Sequence, residues 1–204
     1  MIKNIVFDFG QVMIQYKPCL MADKYIDDPR DREAIYTVLF DRLYWDKLDD
    51  CTITDEEIIE ASKKRLPERL HAILPKIYYN WMYNLPAMPG MNELVASLRS
   101  KYGVRVFLLS NISKSFAEHA YELPVMNHFE KCIFSAVAGA IKPNAEIYEY
   151  LCRECGILPE ETLFIDDSEK NIKGAREFGL MGYVFDGDAK KLSDFLDGLF
   201  RGEK

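Results

Sequence analysis

The sequence predicts an α/β protein: a parallel sheet covered by helices on both faces, with a helical segment inserted after the first strand. Three observations carry this. Short continuous apolar runs at residues 5–7, 104–109 and 162–165 have the character of strands buried on both faces. Amphipathic stretches of helical period separate the later runs, as parallel right-handed crossovers require. From about residue 17 to 85 the pattern changes to aromatic-rich segments at helical spacing, without a buried-strand run.

Taken in order, the first strand stops abruptly at Asp8, and Gly10 is expected to permit a sharp turn. Residues 31–40, 55–65 and 70–82 each place apolar side chains at helical intervals. Thr54 caps the second of these, and Glu57 three positions on completes a capping box. Pro18, Pro29, Pro67 and Pro75 punctuate the region, with Pro75 placed to divide the third segment. The α/β pattern resumes with a helix at 91–101 and a strand at 104–109 ending in Ser110-Asn111. A helix opening at Ser113, a strand at 132–137, a loop at 139–143 and a helix at 145–155 follow. A strand at 162–165 ends in Asp166-Asp167, and a helix at 169–178, a strand at 182–185 and a helix at 189–200 close the chain. The expected organisation is a core of residues 1–16 and 87–204, interrupted by a helical unit of residues 17–86 that is joined through 14–18 and 86–90.

Composition bounds the function. A net charge of −7 argues against a nucleic-acid binder, which needs clustered Lys and Arg to neutralise phosphates. No apolar run reaches membrane-spanning length and no signal-peptide pattern opens the chain, so a cytoplasmic location is expected. Five cysteines without regular spacing do not form a disulfide framework.

Asp8, Ser110-Asn111 and Asp166-Asp167 all stand at strand ends, and Lys142 follows the third strand. In a parallel sheet such ends share one edge, where open α/β sheets build their sites. Asp8, Asp166 and Asp167 offer the oxygen ligands that magnesium prefers, and without a cation they would repel one another. Ser110 and the backbone N–H groups near Asn111 and Ile112 suit an anion, and Lys142 supplies a compact charge to bridge phosphate and carboxylate. Each residue alone also fits a plain role: Ser110 as a helix cap, Lys142 as a solvated lysine, the aspartates as a capping pair. Four such roles falling at successive strand ends is the stronger evidence.

The ordered set VFDFGQV, LLSN, IKP and FIDDSEKN, with a helical segment between the first two, resembles the haloacid dehalogenase-like (HAD) hydrolase superfamily across essentially the whole chain. The resemblance implies a Rossmann-like core of strand order 5-4-1-2-3 with an inserted all-helical cap. It implies that Asp8 is a nucleophile forming an aspartyl-phosphate, and that Ser110 and Lys142 hold the phosphoryl group. It further implies that Asp167, with Asp166 close by, binds Mg²⁺ together with Asp8 and the Gly10 carbonyl. The FDFGQV pattern resembles the branch containing bacterial α-D-glucose-1-phosphate phosphatases and the phosphatase domain of soluble epoxide hydrolase. The implied activity is a magnesium-dependent phosphomonoesterase acting on a small phosphorylated metabolite such as a sugar phosphate.

One position departs from the family pattern. Its phosphatases usually carry a leaving-group acid two residues after the nucleophile, and here that residue is Gly10. The alternatives are therefore a carbon–halogen hydrolase using the same Asp8, or a non-catalytic phosphate-binding or regulatory protein. Gln11 replaces the branch's usual Asn, and Ile141 precedes the Lys-Pro pair where a basic residue is common.

Other features are assigned to packing. Cys152 and Cys155 have C-x-x-C spacing on a predicted helix but lack a second ligand pair. His71, His119 and His128 fall outside the motifs. Tyr78, Tyr79, Trp81 and Tyr83 are expected in the core of the helical segment and its interface rather than around a ligand. Trp45 and the acidic pair Asp49-Asp50 are the residues of that segment expected to reach substrate.

Overall fold

The computed structural model describes residues 1–41, 44, 47 and 52–202. Trp45, Asp49 and Asp50 lie outside the described residues. The five strands are β1 (Asn4–Phe7), β2 (Arg105–Ser110), β3 (Cys132–Phe134), β4 (Thr162–Asp166) and β5 (Met181–Val184). They form one parallel sheet of order β3-β2-β1-β4-β5, the expected order read from the other edge.

Strand periodicity divides the apolar residues between two layers. Ile5, Phe7, Val106, Leu108, Leu163 and Ile165 face one layer, with Leu94 and Leu98 of the helix Met91–Tyr102 and Leu192 and Leu196 of the helix Ala189–Arg201. Val6, Phe107, Leu109 and Phe164 face the other, with Tyr148 and Leu151 of the helix Ala145–Cys155 and Ile172 of the helix Glu169–Phe178. Each such side chain removed from water contributes roughly 1.5–3 kcal/mol before conformational entropy is set against it. The strand bounds shift from expectation by one residue, except at β3, which ends three residues early. β3 is three residues long, and residues 135–138 make a helical turn because the Ser135 hydroxyl bonds both to the Ile112 N–H at 2.9 Å and to its carbonyl at 3.2 Å. β5 starts one residue early, at Met181, on the open edge of the sheet.

Between β1 and the helix Met91–Tyr102, the described residues form helices Pro18–Ala22, Pro29–Leu39, Asp55–Lys63 and Leu74–Asn80, with 3₁₀ turns at Glu68–Ile73 and Trp81–Asn84. The Thr54–Glu57 capping box is present, with reciprocal bonds of 3.2 and 2.9 Å. Pro75 stands in the first turn of its helix, where no N–H is needed, and so separates the α-helical from the 3₁₀ part. The two connecting chains pair with each other: the Gln15 N–H donates to the Pro86 carbonyl and the Met88 N–H to the Met13 carbonyl, both at 2.9 Å. The helical segment therefore enters and leaves beside the carboxyl end of β1. No helix of the described residues is long and apolar enough to cross a membrane.

Candidate active site

The register of the sheet brings the site together. Phe7 pairs with Leu108 and with Ile165, so Asp8, one residue on, comes level with Leu109 and Asp166. Its N–H donates to the Ile165 carbonyl at 2.9 Å, which holds the nucleophile candidate on the line of the strand.

Lys142 spans these three strand ends. Its Nζ lies 2.7 Å from Asp8 Oδ1, 2.7 Å from Asp166 Oδ2 and 3.2 Å from the Leu109 carbonyl. An ammonium has three protons, and each has an acceptor. The Lys142 side chain is 1% exposed, so leaving any of them unmet would be costly. Burial pulls its pKa down, but Asp166 and Asp8 more than offset that and hold it above the ordinary lysine range.

Asp166 is itself saturated. Oδ1 accepts from the Ser168 N–H at 2.8 Å, Asn171 Nδ2 reaches both oxygens at 3.1 Å, and Lys142 takes Oδ2. A carboxylate that is wholly buried and accepts this many bonds has little capacity left for a metal. Asp166 thus orients Lys142, and the exposed Asp167 is the better-placed metal ligand of the pair.

One expectation about the anion-binding loop changes, at Ile112. The Asn111 side chain is engaged within the loop: Nδ2 donates to the Lys142 carbonyl at 3.1 Å and Oδ1 accepts from the Lys142 N–H at 2.8 Å. It clamps the main chain that carries Lys142. The Ile112 N–H is taken by Ser135. Ser110, 2% exposed, keeps its hydroxyl at the cavity with a long 3.5 Å contact to the Asn111 carbonyl.

The turn after Asp8 also differs. Gln11, with φ of 55°, is the left-handed residue, not Gly10. A Cβ on Gly10 would meet nothing within 4 Å. Gln11 is held by its side-chain Oε1, which accepts from the Tyr16 N–H at 3.0 Å. Left-handed non-glycine residues cost roughly 1–2 kcal/mol and concentrate at functional sites.

Asp8, Asp166 and Asp167 can each place one oxygen within 4.8 Å of the others, the one such group of possible metal ligands among the described residues. Burial is the main force pushing the Asp8 carboxyl up, to about 7; Lys142 pulls against it and Asp166 adds to it. Three carboxylates against one ammonium leave a deficit of positive charge. A hard divalent cation with oxygen preference fits the Asp8 and Asp167 oxygens of that group and would favour the ionised form of Asp8.

Asp8, Ser110, Lys142 and Asp167 line a cavity of about 690 Å³, together with Gln11, Tyr16, Trp81, Ile141 and Lys170. Trp81 thus reaches the site, against the expectation that it only packs; it stacks on Phe116 at 5.5 Å and meets the Tyr16 ring edge-on at 6.1 Å. Tyr78 is buried in the helical segment as expected. His71 and His119 bond to the Leu66 and Ser115 carbonyls, outside the site. Cys132, Cys152 and Cys155 are free thiols, and burial pushes Cys152 and Cys155 up to about 11.

Sequence reasoning missed Asn171, Ser135 and Gly174. Asn171 stands in the first helical turn after Asp167, where i to i+4 spacing turns a side chain back towards the strand end. Gly174 has no local signature: a Cβ there would lie 2.4 Å from the Pro143 carbonyl oxygen, so the helix approaches the Lys142 loop closely only because this residue is glycine.

Three comparisons bear on this geometry. D-ribitol-5-phosphate phosphatase of Bacteroides thetaiotaomicron is 27% identical over 192 residues, covering 88% of this chain and 89% of that protein. Bifunctional epoxide hydrolase 2 of Mus musculus is 34% identical over 67 residues, which span 33% of this chain and 12% of that protein. A HAD family enzyme of Bacteroides thetaiotaomicron, solved with magnesium and inorganic phosphate, superposes with a TM-score of 0.67 at 25% identity, covering 94% of this chain and 99% of that one. The haloacid dehalogenase-like hydrolase family matches residues 2–179, which include Asp8, Ser110, Lys142 and the Asp166-Asp167 pair. With its motif residues gathered at one sheet edge, the chain belongs to the haloacid dehalogenase-like hydrolase family.

Proposed function

We propose that the protein is a magnesium-dependent phosphomonoesterase that cleaves a small phosphorylated metabolite of the sugar or polyol phosphate class through Asp8. The observation that carries this is the ion pair between Asp8 and a saturated Lys142, beside a cluster of carboxylates suited to a divalent cation. A relative that hydrolyses ribitol 5-phosphate, and one bound to magnesium and phosphate, support it.

In this reading, an Asp8 oxygen attacks phosphorus in line with the ester oxygen; the new O–P bond forms as the ester P–O bond breaks. The leaving alkoxide takes a proton from water. A second water then attacks the aspartyl-phosphate phosphorus, loses its proton to solvent, and frees phosphate with Asp8 restored. Lys142 neutralises charge on the phosphoryl oxygens while remaining bonded to Asp166, and the Ser110 hydroxyl donates to one of them. Asp8, Asp167 and the Gly10 carbonyl would hold magnesium, which supplies further neutralisation of the transferring group when bound. Trp81 and Tyr16 give the leaving group an apolar wall. Residues 17–86 act as the cap that carries Trp81 over the site and excludes water.

The test is a screen of phosphorylated metabolites and matched haloacids, each with magnesium and with excess chelator. Magnesium-dependent release of phosphate is expected. Haloacid turnover that persists in chelator without phosphoester cleavage would establish the dehalogenase instead, and binding of phosphate without turnover would establish a binding protein.

A further inference from the structure

Gln11 lines the cavity three residues after Asp8 and has no part in the machinery above. It is the one non-glycine residue with a left-handed backbone among the described residues, at φ 55°. Glycine would take that conformation without strain. The bond from the Tyr16 N–H to Oε1, at 3.0 Å, returns a gain of the same order as the strain and no more. Stability therefore gives no net reason for a glutamine at this position.

The same bond fixes which way the amide points. A backbone N–H only donates, so Oε1 faces Tyr16 and Nε2 faces away from it. Nε2 carries two protons and meets no acceptor among the described residues. With Oε1 engaged, the group is set to give a hydrogen bond rather than to take one. That suits an oxygen gaining negative charge, not a water that must lose a proton.

Placement selects the oxygen. Asp8 attacks from the end of β1, so in-line transfer puts the ester oxygen on the far side of phosphorus. There the leaving group meets the wall of Tyr16 and Trp81, whose rings touch edge-on. Gln11 is bonded to Tyr16, which keeps its amide beside that wall while its main chain stays close to Asp8. Gly10, between them in the chain, contributes no side chain to serve the ester oxygen.

Building on the phosphatase reading, we infer that Gln11 is a catalytic hydrogen-bond donor whose Nε2–H binds the ester oxygen as the P–O bond breaks. The amide keeps its proton, and the alkoxide still takes one from water. The bond strengthens as charge gathers on the oxygen, so its contribution rises with the basicity of the leaving group.

The experiment measures kcat/KM with magnesium on acetyl phosphate, p-nitrophenyl phosphate, benzyl phosphate and ribitol 5-phosphate, a series of rising leaving-group basicity. Wild type is compared with Gln11→Met, which keeps the length without the donor, and with Gln11→Gly, which also relieves the backbone. On acetyl and p-nitrophenyl phosphate the loss should stay within about threefold. On benzyl and ribitol phosphate it should reach about tenfold to a hundredfold, the scale of one hydrogen bond to a charged oxygen. On any single ester that wild type cleaves, the heavy-oxygen isotope effect at the bridging atom should rise in both variants. Equal losses across the series, no loss, or an unchanged isotope effect would assign Gln11 to loop geometry or to nothing. Each would overturn the inference and leave the phosphatase standing. Wild type that releases phosphate from no ester would refute the phosphatase, and the inference with it.

Discussion

Replacing Asp166 by Asn separates its role as the support of Lys142 from the role of a metal ligand. In the native site four bonds converge on its two oxygens, from Lys142, from the Ser168 N–H and twice from Asn171, and every partner is a donor. An asparagine turned either way sets its own N–H₂ against one of those donors. It also leaves the Lys142 ammonium with Asp8 as its only ionic partner. Breaking a buried ion pair by removing one member costs about 3–5 kcal/mol. The loss of repulsion between Asp166 and Asp8 offsets part of this, so the lower figure, about 3 kcal/mol, is expected. At 2–4 °C per kcal/mol for a chain of this size, the melting temperature should fall by roughly 6–12 °C. Calorimetric or fluorescence melts with and without saturating magnesium make the assay. Asp166→Asn should still gain stability from magnesium, because Asp8 and Asp167 remain, while turnover falls steeply with Lys142 released. Asp167→Asn should melt close to wild type without metal and lose the magnesium-induced gain. An Asp166→Asn protein as stable as wild type, or one that alone loses the magnesium response, would refute the assignment.

Asp8→Asn should abolish turnover while keeping a cooperative melt; near-native hydrolysis by a folded, pure variant would exclude the aspartyl-phosphate route. With Gly10 in place of an acid, kcat/KM should fall steeply as leaving-group pKa rises, since general acid catalysis contributes ~10²–10⁴-fold where a proton is needed. Gly10→Asp adds a Cβ that meets nothing within 4 Å and should flatten that slope; a folded, magnesium-binding Gly10→Asp with an unchanged slope would mean that the absent carboxylate does not set the preference. Gly174→Ala gains about 1 kcal/mol of helix propensity but drives a methyl into the Pro143 carbonyl, so a net loss of roughly 1–2 kcal/mol and a raised KM from the displaced Lys142 loop are expected. A more stable, fully active Gly174→Ala would show that the loop yields freely.

Much of the fold was legible along the chain because its information is local. Buried parallel strands read as apolar runs, and the helices at Ala145–Cys155 and Glu169–Phe178 fall where period and caps put them. The capping box at Thr54 was readable for the same reason, since both partners lie within four residues. β3 was not, because the residues after Phe134 look strand-like until Ser135 finds Ile112 across the sheet.

The sequence by itself determined which residues stand at the strand ends, and so that Asp8, Ser110, Lys142, Asp166 and Asp167 share one edge. Only the tertiary structure decided what each does there. Asp166 and Asp167 are neighbours in sequence, yet one is wholly buried under Lys142 and Asn171 and the other is exposed. The Asn111 side chain turns out to clamp the main chain of Lys142, and Trp81 looked like packing and lines the cavity. The reason is physical. A strand's end follows from hydrophobic pattern, which is a property of consecutive residues. A polar side chain's role depends on which donors and acceptors from distant segments saturate it, and burial makes that saturation obligatory.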